Sequence, residues 1–307
     1  MKPGASIVCA LVMFISGHAP AAAGGPSARA RPTQDAGSAR PAPAAPVRII
    51  SLIPAVTETL FAIGAGPQVV AVSSFDRYPP DVEKLQRVGA LIDPDVERIL
   101  SLRPDLVIVY ASQSDLRAQL QRAQIPTYVY SHAGLADIGS TIRDVGIRVG
   151  RGPAAAQVAA SIEGRIQAVR TRVAGLPRPS TLVVFEREPF TLRGIYASGG
   201  VGFIHDMLDA AGGANIFADV KREAVQATTE LILARGPAVV IELRSSVASE
   251  DTRRRELAAW SGLGAVPAVR TGRVYLFGDP RMTIAGPRVA EVVEILGRTL
   301  HPGAFSR

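Results

Sequence analysis

The chain is 307 residues long, 47% apolar and 5% aromatic, with a formal charge of +7 and one cysteine. That length suits two domains of ordinary size, and the apolar share suits packed cores, which excludes a disordered chain. A charge of +3 falls before residue 47, on Lys2, Arg29, Arg31 and Arg40 against Asp35, and +4 is scattered over the body. No nucleic-acid partner is expected from so diffuse a charge: the one arginine run, Arg253 to Arg255, lies between Glu250, Asp251 and Glu256 and reads as a solvated helix face.

At the N-terminus Lys2 precedes an apolar run from Ile7 to Ile15, and small residues follow from Ala19 to Ala23. This is the layout of a secretory signal peptide, too short to span a bilayer as a stable helix, with cleavage after Ala21 or Ala23. Cys9 lies inside the run, too early to accept a lipid, so residues 1–23 are expected to be removed. A soluble periplasmic protein without thiols or a lipid anchor would remain. Residues 24–46 are Ala, Pro, Gly, Ser and Arg and read as a flexible leader.

From Val47 onward short apolar runs alternate with helical patterns. A β-rich run at Val47 to Leu52 leads to a helix over 57–63, then a strand at Val69 to Val72 and a helix from about Asp81. A short helix, Pro104 and a strand at Leu106 to Tyr110 follow, and then a helix over 115–123 and a strand at Thr127 to Tyr130. Such alternation predicts βαβ units and a mostly parallel sheet, its strands apolar throughout where helices cover both faces. Val158, Ile162, Ile166, Val169 and Val173 then mark one face of a helix about 20 residues long, roughly 30 Å. Beyond it the alternation resumes, with strands over 181–185 and 273–277 and helices over 202–211 and 287–300. The fold class is therefore α/β: two lobes with mostly parallel sheets, 47–152 and 176–307, bridged by one long helix at 153–175, with a ligand cleft between them.

One phrase occurs in both lobes. DVERILSLRPDLVIVY begins at Asp95 and TTELILARGPAVVIEL at Thr228, each with a glutamate, Glu97 or Glu230, seven residues before a proline. An acid at that place is favoured by the helix macrodipole.

Catalytic chemistry finds no support. There is no G-x-S-x-G elbow, P-loop or dinucleotide fingerprint. The four histidines, His18, His132, His205 and His301, share no ligand spacing, so neither a metal centre nor a cofactor is expected. The expected role is binding, not catalysis.

The segments SLIPAVTETLFAIGAG, SSFDRYPPDVEKLQRVG, DVERILSLRPDLVIV and YASGGVGFIHDMLDAAGGANIF, in that order, resemble the periplasmic binding proteins for vitamin B12, siderophores and haem. With the bridging helix the resemblance covers nearly all of 47–300, and Ser73 to Pro80 brings it nearest to the vitamin B12 binders. The resemblance implies two Rossmann-like lobes and a monomeric carrier that captures cobalamin, or alternatively a ferric siderophore or haem, and delivers it to the permease dimer of an ABC importer. On that match Phe75, Arg77, Tyr78 and Tyr110 would line the cleft from the first lobe. From the second, Glu186, Arg187, Phe190 and Arg193, just after its first strand, and Arg281, in the loop before the last helix, are expected there because loops at the C-terminal ends of parallel strands line the crevice. Aromatic residues suit a flat macrocycle, whereas arginines could fork onto carboxylate or catecholate groups. Where vitamin B12 binders often carry tryptophans this chain has Leu91 and Ala224, which points to a more polar pocket. Glu97 and Glu230 would pair with arginines of the permease, one acid on each lobe. A single helical bridge also implies modest lobe movement on binding.

Overall fold

The structure, a computed structural model, describes residues 45–131 and 134–306; the signal-peptide segment, nearly all of the leader and His132 lie outside them. In the first lobe β1 (Ile49–Ser51), β2 (Val69–Val72), β3 (Gln86–Arg87), β4 (Leu106–Tyr110) and β5 (Thr127–Tyr130) form a sheet in the order β3-β2-β1-β4-β5. Every pair in it is parallel. Helices α1 (Pro54–Ala62), α2 (Val96–Ser101), α3 (Ser114–Arg122) and α4 (Leu135–Arg148) accompany it, and α5 (Gly152–Val173) crosses to the second lobe.

The second lobe contains β6 (Ser180–Glu186), β7 (Ile195–Ser198), β8 (Ala214–Asn215), β9 (Ala224–Ala227), β10 (Val239–Arg244) and β11 (Val274–Gly278). Their order is β11-β10-β6-β7-β9, with β8 beside the start of β6. Strands β6, β10 and β11 are parallel, but β7 runs antiparallel to both β6 and β9. Its helices are α6 (Phe203–Ala210), α7 (Thr229–Arg235), α8 (Glu250–Ala258), α9 (Pro267–Arg270), α10 (Val289–Leu300) and α11 (Pro302–Phe305).

Sequence periodicity missed α4, β7 and β9, and the helix expected from Asp81 is a 3-10 turn at Pro80–Lys84. The buried stripe of α5 is Ala155, Ala159, Ile162, Ile166, Val169 and Val173, so two alanines join it at its N-terminal end and Val158, expected on it, is only partly buried. The reason is close approach of α4: a Cβ added at Gly146 would stand 2.1 Å from the Cβ of Ala155. Only small residues fit where two helices come so near.

The alternation of side chains along each strand sorts the core into three parts. Ile50, Leu52, Val107 and Val109 face outward in the first lobe and pack with Ile99, Leu116 and Leu120. Leu182, Val184 and Val240 do the same in the second lobe, against Ile232, Phe217 and Trp260. The inward residues Ile49, Leu106, Ile108, Val183, Val239 and Ile241 share one continuous cluster with Leu60, Ile142, Ile162, Met207 and Val293. Because this third cluster runs through both lobes, separating them widely would expose apolar area at roughly 25 cal/mol per Å².

The doubled phrase folds the same way twice. The Asp95 carboxylate accepts from the Arg98 N–H at 3.0 Å and the Thr228 hydroxyl from the Leu231 N–H at 3.2 Å, each satisfying a free amide of the first turn. Glu97 and Glu230 are the second residues of α2 and α7, and Ile99 and Ile232 are the buried anchors. The chain then leaves through a left-handed residue, Arg103 (φ 47°) or Gly236 (φ 50°), and a proline turns it into β4 or β10. The Asp105 N–H meets the Arg48 carbonyl at 3.0 Å, and the Ala238 N–H meets that of Ser180 at 2.8 Å. Each copy is thus a return from helix to a strand beside the first strand of its lobe.

Candidate ligand-binding cleft

A cleft of about 190 Å³ opens between the lobes, lined by Pro54, Glu58, Phe75, Arg77 and Tyr78 from the first and Pro280, Ile284 and Arg288 from the second. Pro54 and Glu58 are on α1, which follows the C-terminal end of β1, and the Ser73 to Pro80 loop follows that of β2. Ligands of open α/β sheets bind beyond the C-terminal ends of strands, so the topology delivers these loops to the expected place. A second depression, about 450 Å³ on α3 and the start of β5, is shallow and carries no aromatic residue.

The Ser73 to Pro80 loop is held from within. Asp76 is fully buried, and its Oδ2 accepts from the Ser73 hydroxyl at 2.5 Å and the Ser73 N–H at 2.9 Å. Burial pushes the Asp76 carboxyl above its usual value, against the lowering effect of these hydrogen bonds and of Arg87. Arg87 also donates to the carbonyls of Ser73 and Asp76, both at 2.9 Å. The Tyr78–Pro79 peptide is cis. The result is a fixed loop that leaves Phe75 47% and Tyr78 44% exposed on the cleft. Large aromatic rings this open to water on a rigid support are binding surface in waiting.

At the base of the cleft Glu58 and Arg288 form an ion pair between the lobes. Arg288 donates from Nε to Glu58 Oε2 at 2.9 Å and from Nη2 to Oε1 at 2.5 Å, and Glu58 is only 3% exposed. Burial raises the Glu58 carboxyl above its ordinary value, and Arg288 counteracts the rise. The Arg288 guanidinium also lies 4.0 Å from the centre of the Tyr78 ring. Sequence reading missed both residues of this pair, which are 230 apart. Glu58 alone carried a signal: it is the one charged residue of PAVTETLFA, and a charge buried in that helix needs a partner.

Of the residues expected in the cleft, Phe75, Arg77 and Tyr78 are brought together there. Tyr110 closes β4, half-buried, with its ring edge-on to Tyr130 at 5.9 Å. Glu186 is the half-buried last residue of β6, in register with Tyr196. Phe190, 41% exposed, lies beneath the Arg255 guanidinium at 4.3 Å. None of these three is among the residues lining the cleft.

Arg187 is a correction. Arg187 was expected to meet ligand, but its side chain has no exposed surface. Its guanidinium contacts Glu242 Oε1 at 2.9 Å and Glu256 Oε2 at 2.8 Å and donates to the Thr191 and Glu256 carbonyls, and Trp260 Nε1–H also donates to Glu242. A buried acid in β10 has claimed it, so Arg187 is part of the second lobe's interior. Arg193 is exposed and paired with Glu188 at 2.9 Å. Arg281 is held between Asp279 at 2.7 Å and Glu291 at 2.6 Å, which strengthens its hold on its proton and keeps the Asp279 carboxyl low. Arg77 donates to the Ser74 and Asp76 carbonyls at 2.8 and 2.9 Å. It is the cleft arginine without an acid partner among the described residues.

Glu97 and Glu230 are both exposed, on the outer helices α2 and α7. The Glu230 carboxyl is lowered by its own backbone N–H and then by the hydroxyls of Thr228 and Thr229. The described residues contain no group of three or more His, Cys, Asp or Glu able to hold a metal ion, and no helix long and apolar enough to cross a membrane.

The chain is 32% identical over 249 residues to the vitamin B12-binding protein of Salmonella paratyphi A, covering 80% of this chain and 90% of that one. It is 29% identical over 266 residues to an uncharacterized ABC transporter substrate-binding lipoprotein of Bacillus subtilis, covering 85% of this chain and 82% of the other. Among solved structures, the periplasmic heme-binding protein of Roseiflexus sp. RS-1 superposes with a TM-score of 0.71 at 29% identity, over 84% of this chain and 98% of that one. The family model for periplasmic binding proteins matches residues 49–280. With two α/β lobes, a helical bridge and a cleft between them, the chain belongs to the periplasmic binding protein family.

Proposed function

We propose that the protein is the substrate-binding component of an ABC importer and that its cargo is a corrinoid, cobalamin. The observation that carries the choice of cargo is the pairing of the arginines. Arg187, Arg193, Arg281 and Arg288 are each matched to a carboxylate within the protein. A carboxylate or catecholate ligand needs unpaired cations; a macrocycle fringed with neutral amides needs aromatic surface and hydrogen bonds. Phe75 and Tyr78 supply the aromatic surface, and the relative from Salmonella paratyphi A supports the same cargo. Arg77 favours the second reading, haem or a ferric siderophore, because it has a charge to offer, and the heme-binding neighbour from Roseiflexus supports it too. In this reading the cleft grips one edge of the ligand, since about 190 Å³ is less than the roughly 300–1,000 Å³ that encloses a drug-sized molecule.

Delivery would use the outer helices. Glu97 and Glu230, placed alike on the two lobes, give a permease dimer with paired basic sites two points to hold, which sets orientation more than affinity. The protein would act as a monomer in the periplasm after export through residues 1–23.

Two experiments test this. Protein incubated with cyanocobalamin, haem or ferric siderophores and then desalted should carry cyanocobalamin through the column; co-elution of haem or a siderophore alone would replace the cargo. The double variant E97K/E230K should abolish uptake in cells while binding its ligand as tightly as the parent. Undiminished uptake would leave the two acids with only their helix-end role.

A further inference from the structure

The Glu58–Arg288–Tyr78 cluster joins three features that ordinarily occur apart. Glu58 lies on α1 of the first lobe, Arg288 immediately precedes α10 of the second, and Tyr78 returns to the first lobe on the cleft loop. Glu58 is almost wholly buried, and it holds Arg288 along one edge, through Nε and Nη2. A guanidinium held by two parallel hydrogen bonds has its plane fixed, unlike an ammonium on a flexible stem. Its Cζ lies 4.0 Å from the centre of the Tyr78 ring, within the range at which a cation and an aromatic face attract.

A tyrosine 44% exposed on a loop would ordinarily sample several rotamers in water. Here one side of its ring is covered by a cation whose own position is set from beneath. Breaking the ion pair would free the guanidinium, and the ring with it. The cleft wall is therefore assembled across the lobe boundary.

We propose that Arg288 is the positioning residue of the cleft: pinned by Glu58, it holds the Tyr78 ring as the wall against which the ligand packs. The role of that wall rests on the ligand reading given above; the hold on the ring does not. Arg288 serves as the backing of the wall and Glu58 as its anchor. Tyr78 is preorganised before any ligand arrives, so the ligand does not bear the entropy of ordering it.

The test uses the full chain labelled with 3-fluorotyrosine. The chain has six tyrosines, and the Tyr78 fluorine resonance is identified by its loss in Y78F. R288Q and R288K should both shift and sharpen that resonance, with lysine failing to rescue because it cannot form the fork, while the other five stay in place and report an intact fold. In cyanocobalamin titrations R288K should weaken binding roughly threefold to tenfold, the size of a partly exposed cation–aromatic contact. In the Y78L background the same substitution should change nothing. An unmoved Tyr78 resonance overturns the proposal, and so does a loss on R288K that persists undiminished with Y78L. If the parent protein binds no corrinoid, the ligand reading fails, and the fluorine spectra still decide whether Arg288 positions the ring.

Discussion

The strands that follow the two copies of the repeated phrase show how far one plan can diverge. In the first lobe β4 places Val109 toward the outer core, fully buried among Val107, Leu116 and Leu120. At the matching place in the second lobe β10 carries Glu242, equally buried. An isolated carboxylate there would be untenable, and the second lobe has built a shell around it from Arg187, Arg244 and Trp260. One lobe closes its outer layer with packing alone and the other with a charge network. The two sheets differ correspondingly, all parallel in the first and mixed in the second, where β6 ends at Glu186 and hands the chain directly to Arg187. A shared backbone plan therefore fixes where a strand runs without fixing the chemistry of its core.

The largest effect expected from this contrast follows from removing one side of the network. R187M leaves Glu242 buried with its main partner gone and should cost about 3–5 kcal/mol in urea unfolding. The pair R187M/E242V copies the apolar solution of the first lobe and should recover most of that loss. Additive losses would mean that the network is not one unit.

Smaller effects come from the return after each helix, where Gly236 and Arg103 both adopt left-handed backbone. G236A should destabilise by about 1–2 kcal/mol, the usual cost of a side chain in that conformation. R103G should stabilise by somewhat less than about 1 kcal/mol, because glycine also loses more freedom on folding. Equal responses in the two lobes would refute the structural equivalence of the phrase.

The smallest effects are in the pH dependence, and they have opposite signs. Asp76 in the first lobe is raised by burial above its ordinary 3.8, so the folded protein holds its proton more tightly than the unfolded chain. Its contribution falls as pH rises from 3.8 through the raised value and then levels off. Asp279 in the second lobe is lowered, first by its hydrogen bond to Arg281, so its contribution is present above 3.8 and is lost as pH falls through the lowered value. Subtracting D76N from parent stability should therefore give a difference that declines with rising pH, and subtracting D279N one that declines with falling pH.

Much of the fold was legible. Val69–Val72, Leu106–Tyr110 and Thr127–Tyr130 were read to the residue: the first two are runs buried on both faces, and the third, an edge strand, is rich in β-branched and aromatic residues. Strands β7 and β9 were not, being four residues long and half made of small side chains; they become strands through antiparallel pairing that no local pattern announces. Helix α4 was missed too, although Leu135, Ile138, Ile142 and Val145 carry helical spacing, a signal that was present and went unread. In the cleft the loop from Ser73 to Pro80 was legible as a motif, and Phe75, Arg77 and Tyr78 came with it. The partners of the arginines were not. Nothing near Arg187 in sequence announces that Glu242, 55 residues later, will claim it, or that Glu58 and Arg288 will meet. Charge pairing over such separations is a property of the packed molecule.

The central claim is that pairing of the arginines with carboxylates leaves a cleft suited to an uncharged corrinoid. Calorimetric titration of the full chain with cyanocobalamin and with haem, at one ionic strength, tests it most directly. The account predicts that cyanocobalamin binds at least about tenfold more tightly, a difference of roughly 1.4 kcal/mol. Tighter binding of haem, with its two carboxylates, would contradict it.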